Sequence, residues 1–268
     1  MFNWHGPLGL TGMTVKDVGG RGADGTLSGM DAGADWVQTQ HGHALEFDGS
    51  SQCVDNITLG SALDGRPISC WTLCRFDDLD SSYPRIIDRV YNGQFAFYLR
   101  ALGVGMAANC SGGTIDTFVG PPLAANTWHS IVWTYDGTTI KIYVNGVLHG
   151  TQAQSKGLLA ASSAATRIGN RVDGTNRGWD GLIAAVALWN RVLLPSESRL
   201  LHTDPHAIVR PMRRTGLSTP RVAGPYRTLI AETFHTGAAA GEPFVTGAAI
   251  GESFNTGPTA GQIDGRCG

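Results

Sequence analysis

The side chains of this sequence that could do chemistry are scattered rather than clustered. Glycoside cleavage needs two carboxyl groups at fixed separation, one to donate a proton and one to act as base or nucleophile. The nearest string is Glu46-Phe47-Asp48-Gly49, and its Phe-Asp-Gly reads as strand end and turn. Neither a Gly-x-Ser-x-Gly elbow nor a phosphate-cradling Gly-rich loop occurs. His41-x-His43 would put two imidazoles on one strand face, but no third ligand lies nearby in sequence. His202-x-Asp204-x-His206 is not the helical zinc motif, because Thr203 stands where Glu is needed and Pro205 interrupts. Asp17, Asp24 and Asp180 supply oxygen ligands of the kind a hard cation takes; loop carboxylates of this type also cap backbone N–H groups. Sugar binding needs an aromatic platform beside planar polar side chains, and the loop Asn170–Trp179 offers Arg171, Asn176, Arg177 and Trp179. Between Asp204 and Glu232 there is no acid, while Arg210, Arg213, Arg214, Arg221 and Arg227 occur. That segment lacks the interleaved aromatics of single-strand nucleic-acid binders, so protein docking is the expected role.

These groups sit on a β framework. In Asn126–Gly150, Ile131, Trp133 and Tyr135 share one parity and Ser130, Val132 and Thr134 the other, as in a half-buried strand. Asp136-Gly137 supplies a tight turn, and Ile140, Ile142 and Val144 alternate with Lys141 and Tyr143. Asn145-Gly146 turns the chain again into Val147-Leu148. Further strands are expected near 43–48, 52–57, 68–76, 84–90, 94–100 and 103–109. Gly, Asp and Pro turns separate them, which points to a two-sheet antiparallel sandwich over residues 1–205. Pro195 to Leu201 reads as a short proline-started helix.

After residue 205 the character changes. Residues 206–231 carry proline and arginine without a period and read as an extended arm. Residues 232–268 form a glycine-rich tail with three ten-residue units, ETFHTGAAAG, EPFVTGAAIG and ESFNTGPTAG. Phe234, Phe244 and Phe254 recur in register. A Gly/Ala unit of this length buries little by itself, so each ring is expected to dock into a partner, helped by the arginines Arg210, Arg213 and Arg214.

Composition agrees. The chain has 268 residues, 42% hydrophobic and 16% charged, with 37 glycines and a net charge of −2. That is a turn-rich β protein whose overall field does not capture nucleic acid. The longest apolar run, Leu182–Trp189, is too short to cross a bilayer, so no membrane insertion is expected. The five cysteines, Cys53, Cys70, Cys74, Cys110 and Cys267, are an odd number and suit free thiols. Cys70 and Cys74 are about 13 Å apart along one strand, too far to bridge, and read as small core residues. The N-terminus has no basic region and its apolar residues are broken by Gly and Pro, unlike a secretory signal.

The motifs also carry a resemblance. Trp128-His129, Thr134-Tyr135-Asp136-Gly137 and Tyr143-Val144-Asn145-Gly146 resemble the signature hairpins of the laminin-G-like, pentraxin-like branch of the concanavalin A-like lectins and glucanases. Asp17 to Leu27 resembles the family's glycine-rich loop, Ala44 to Gly49 the strand after it, and Arg167-Ile168-Gly169 with Trp179 to Arg191 its closing strands. The resemblance implies an all-β concanavalin A-like jelly roll, followed here by the arm and tail. Glycosidases of that fold usually carry Glu-x-Asp-x-x-Glu, and Ser51 stands in place of the third acid, so the expectation is that the chain is not an enzyme. Relatives often hold calcium through an acidic pair where this chain has Ala184-Ala185. The expected cofactors are therefore none, with calcium the one candidate weighed. Relatives also pack an aromatic inward at the place of Trp179. Asp204 to Pro211 resembles the arm that follows such domains in tailed-phage structural proteins. The resulting expectation is a non-enzymatic structural protein of a bacteriophage particle, a capsid decoration or fibre component. It would be assembled in the host cytoplasm and anchored to other virion proteins and copies of itself. The alternative is a carbohydrate-binding adhesin on a tail or cell surface, and host glycans are partners common to both.

Overall fold

The computed structural model describes residues 1–6, 9–78, 83–91, 93–101, 103–174 and 176–209. The chain divides into two compact units, Met1–Arg213 and Arg214–Gly268, and every described residue belongs to the first. The expected docking residues Arg210, Arg213, Arg214, Phe234, Phe244 and Phe254 lie outside the described residues.

Among the described residues, sixteen strands build two antiparallel sheets. The first sheet holds β4 (Trp36–Thr39), β5 (Gly42–Asp48), β7 (Ile68–Phe76), β12 (Trp128–Tyr135), β13 (Thr139–Val144), β14 (Val147–Ala153) and β16 (Asp180–Trp189), ordered β14-β13-β12-β7-β16-β5-β4, with β1 (Phe2–His5) pairing on β16. The second holds β2 (Thr14–Val15), β3 (Gly25–Ser28), β6 (Cys53–Ile57), β8 (Arg85–Arg89), β9 (Phe95–Arg100), β10 (Gly103–Cys110), β11 (Gly113–Val119) and β15 (Thr166–Ile168), ordered β11-β10-β9-β8-β15-β6-β3-β2. The two-sheet sandwich expected from the sequence is what forms. The meander runs as read, with Ile131 opposite Val144 and Trp133 opposite Ile142. Its second turn has φ +51° at Asn145 and +77° at Gly146, the pair of positive values that the tight two-residue hairpin turn requires.

The inner faces of both sheets meet in one core. It includes Phe47, Phe76, Phe95, Phe97, Met106 and Trp133, with Cys70 and Cys74 among them. Trp133, from β12, packs against Phe97 with ring centroids 5.3 Å apart, and its indole N–H donates to the Gly105 carbonyl at 3.1 Å, tying the two sheets together. Cys53, Cys70, Cys74 and Cys110 are buried free thiols, and burial pushes the pKa of each upward.

The outer face of the first sheet is closed. A second apolar cluster there, including Trp71, Val132, Tyr143 and Trp189, is capped by Leu201 of α1 (Pro195–Thr203). Pro195 opens that helix, and the Glu197 carboxylate both accepts the Leu194 N–H at 2.8 Å and pairs with Arg191. Of the expected arm, 206–231, only residues 206–209 are described: Pro205–Ile208 wind into a 3-10 turn and Ile208 packs on the outer cluster. The turn brings His206 Nδ1 within 3.0 Å of His5 Nε2.

Candidate functional site

Among the described residues, the outer face of the second sheet carries a small cluster of Ala96, Tyr98 and Ala107 with Tyr83 and Tyr91 packed against it, and cross-strand register decides what surrounds it. One row runs Arg85 on β8, Tyr98 on β9, Gly105 on β10 and Phe118 on β11; the next runs Asp88, Ala96, Ala107 and Asp116. Simple alternation would place Arg85 and Asp88, three residues apart, on opposite faces. A register shift between Arg85 and Ile87 inserts a bulge and returns both to the outer face. In both rows the middle strands contribute small residues or a flat ring, so the centre is low and the ends rise. Gly105 is required for this, because a Cβ there would come within 2.0 Å of the Tyr98 ring.

The result is a cleft of about 270 Å³ lined by Tyr83, Arg85, Tyr91, Asp116, Arg171 and Arg177. A second cavity beneath Met1 and Phe2 measures only about 10 Å³, room for no more than one water. The strands supply the floor of the cleft and the loop between β15 and β16 supplies one wall. Asn170 organises that loop from a fully buried position. Its amide donates to the Ser50 carbonyl at 2.8 Å, and its oxygen accepts from the backbone N–H groups of Arg171 and Arg177. Arg167 adds a 2.7 Å ion pair to Asp55 and donates to the Arg171 carbonyl. Arg171 is gripped by Asp173 through two hydrogen bonds at 2.6 and 2.8 Å. The opposite rim is set by two residues in a backbone region that side chains with a Cβ rarely enter: Tyr83 at φ +59° and Val90, just before Tyr91, at +57°.

Electrostatics in the cleft centre on Arg85. Its side chain is 5% exposed, and the Asp88 carboxylate beside it is fully buried. Nε lies 3.2 Å from Asp88 Oδ2, but the pair is out of line for a hydrogen bond, so both Nε and Nη1 are buried donors without an acceptor. Burial lowers the Arg85 pKa and raises that of Asp88, each opposed by the other's charge. Asp116 accepts from the hydroxyls of both Tyr91 and Tyr98. Burial, then the hydrogen bond to Asp116 and its charge, pushes Tyr91 up to about 12. The aromatic rings are already covered by guanidiniums. Arg85 lies 5.3 Å from the Tyr91 centroid and 4.5 Å from that of Tyr98, while Arg100 and Arg177 lie 3.9 and 4.8 Å from that of Tyr83.

Of the residues expected from sequence to bind sugar, Arg171 and Arg177 line this cleft and the exposed Asn176 reaches Arg171 Nη1 at 3.4 Å. Trp179 does not. Gly178 passes so close to Gly49 that a Cβ would lie 2.4 Å from its carbonyl. The chain thus turns inward, and Trp179 is fully buried against Phe76, ring centroids 6.3 Å apart. The residues that sequence reading missed are Tyr83, Arg85, Tyr91 and Asp116. The available signal was the charged residues Arg85, Asp88 and Arg89 flanking Ile86-Ile87 in one short strand, bracketed by two tyrosines.

The other candidates serve the scaffold. Asp17 accepts four backbone N–H groups, from Asn3, Gly19, Arg21 and Ala23, and Asp24 pairs with Lys16 at 2.7 Å. Asp48 caps Ser50, Phe47 beside it is core, and the exposed Glu46 belongs to the same strand. Ala184-Ala185 belongs to β16, beside β1 in the same sheet, with His5 opposite Ala185. His41 packs edge-on to Trp128 at 4.9 Å, and His43 pairs with Gln38 across β4 and β5. No helix among the described residues is long and apolar enough to cross a membrane.

Comparison with known proteins places the architecture. No curated protein matches the sequence. Among solved structures, domain 4 of an extracellular arabinanase from Geobacillus stearothermophilus, in complex with arabinotriose, is similar. It has 16% identity and a TM-score of 0.57 over 75% of this chain and 97% of that one. The binding domain of Paraclostridial Mosquitocidal Protein 1 has 13% identity and a TM-score of 0.58 over 77% of this chain and 52% of that one. The binding domain of botulinum neurotoxin DC, in complex with SialylT, has 15% identity and a TM-score of 0.55 over 70% and 48%. The chain thus spans about half the length of the toxin domains it resembles. At these identities the likeness is one of fold. The family model described as the concanavalin A-like lectin/glucanases superfamily matches residues 50–197, more than half of the sequence, and the chain belongs to that superfamily.

Proposed function

We propose that the sandwich is a non-enzymatic carbohydrate-binding module and that the cleft on the outer face of the second sheet is its site. The observation that carries this reading is the cleft itself: an open depression of about 270 Å³ with fixed hydrogen-bonding groups converging on it. The arabinanase and neurotoxin domains, which share the fold, were solved with arabinotriose and with SialylT, and that supports a glycan as the ligand class. Hydrolysis fits the cleft poorly. Asp116 is the one carboxylate in its described lining, and Asp88 behind the lining is two intervening strands away, roughly 14 Å at strand spacing, against carboxyl separations of about 5–9.5 Å in glycosidases. Asp88 is also fully buried. A glycan array probed with the full chain is expected to show binding that Asp116→Ala weakens at least tenfold, with no reducing ends released from the bound glycans. An array without a single binder, or release of reducing ends, would overturn the reading.

Placement on a virus particle is the finer part of the proposal, with the sandwich as outward-facing head and residues 206–268 as anchor. The ten-residue Phe/Thr-Gly repeat and the acid-free arginine segment support it. Native mass spectrometry of the assembly that contains this chain is expected to find other virion proteins at fixed stoichiometry. A free monomer as the sole species would contradict it.

A further inference from the structure

We propose that the cleft is specific for acidic glycans, with a carboxylate or sulfate of the sugar held by Arg85. This rests on the glycan-binding reading and narrows its ligand class. Three observations lead there. Arg85 is buried, and two of its nitrogens, Nε and Nη1, make no hydrogen bond, Nε lying beside Asp88 but out of line with it. A planar guanidinium offers parallel donors that match a carboxylate or sulfate, and a charged acceptor satisfies buried cationic donors far better than a neutral hydroxyl does. Arg171 and Arg177 line the same cleft against one carboxylate, Asp116, whose oxygens accept from two tyrosine hydroxyls. The charges behind the lining, Asp88 and Asp173, are engaged by Arg85 and Arg171. Lastly, guanidiniums lie over Tyr83, Tyr91 and Tyr98, so a ligand that reaches these rings meets cationic donors beside them.

The test uses the full chain and matched probes: trigalacturonate against its methyl ester, 3′-sialyllactose against lactose, and chondroitin sulfate oligosaccharides against their desulfated forms. Isothermal titration is run in low salt and again in 0.5 M NaCl. At least one acidic member is expected to bind about tenfold or more tightly than its neutral counterpart. The preference should survive added salt in part, since a buried contact is screened less than a surface one. Arg85→Met should abolish the preference, and Arg85→Lys, which keeps charge without the fork, should restore only part of it. Because Arg85→Met strands Asp88, the double substitution Arg85→Met with Asp88→Leu is measured beside it, with folding checked by circular dichroism. Equal affinity within every pair would overturn the acidic preference while leaving glycan binding intact. A preference that persists in the folded Arg85 variants would overturn the assignment to this cleft. If no member of any pair binds, the glycan-binding reading itself fails.

Discussion

Asp88→Ala is expected to cost about 3–5 kcal/mol of folding stability, because it leaves a buried guanidinium without its counter-charge. Asp88 is fully buried, its Oδ2 is 3.2 Å from Arg85 Nε, and its other oxygen accepts the Val172 N–H at 3.3 Å. Removing the carboxylate therefore strands Arg85 and releases the loop that walls the cleft. Urea unfolding of the wild type and variant gives the cost directly. Arg85→Met combined with Asp88→Leu should recover most of it, since replacing a buried ion pair by apolar groups of similar volume is often neutral or stabilising. A bound anion would stand in for the lost carboxylate, so sodium sulfate should raise the midpoint of Asp88→Ala more than that of the wild type. A loss below 1 kcal/mol, with no differential sulfate effect, would mean that the pair is solvated and that Arg85 is not held as described.

Acid should destabilise the sandwich through His5. Its imidazole is buried beside Trp71 and faces His206, with 3.0 Å between ring nitrogens. Burial, then the neighbouring His206 charge, lowers its pKa to about 4 from the ordinary 6.5. The folded pKa is the lower one, so the unfolded chain takes the proton first. Stability from this group is complete above about pH 6.5, falls as the pH drops toward 4, and is flat below that. At about 1.4 kcal/mol per pKa unit the loss approaches 3 kcal/mol. Unfolding free energies of the wild type and of His5→Gln between pH 7.5 and 4 isolate the effect. The variant should be the flatter of the two over that window, and parallel curves would remove His5 from the account. The same titration should loosen the 3-10 turn at Pro205–Ile208, which carries His206.

Sequence and structure agree best where one face of a strand is buried and the alternation is therefore written into residue types. Thr139–Val144 is of this kind; Trp128–Tyr135, whose alternation reads as a half-buried strand, is instead buried on both faces from His129 onward, like the near-continuously apolar Ile68–Phe76. The strands that were missed are short or weakly patterned. Phe2–His5 is four residues ending at Gly6, and Gly113–Val119 is half exposed at the rim of its sheet. The cleft was illegible for a different reason. It is assembled from rows that cross four strands, and register between strands is a tertiary property. A bulge after Arg85 then reversed the face that alternation would assign. Composition points instead to the Asn170–Trp179 loop, of which Arg171 and Arg177 line the cleft while Trp179 is buried. Nothing in a lone Trp says whether it points in or out; Gly178, pressed against Gly49, is what turned it inward.

The central claim is a location: a glycan bound on the outer face of the second sheet. A crystal structure of the full chain with the strongest-binding acidic oligosaccharide tests it most directly. The sugar is expected between the β8–β9 tyrosine rim and the Arg171–Arg177 wall, its anionic group within hydrogen-bond distance of the Arg85 guanidinium and a hydroxyl on Asp116. A glycan seated elsewhere, on the first sheet or on loops away from Arg85, would contradict the account.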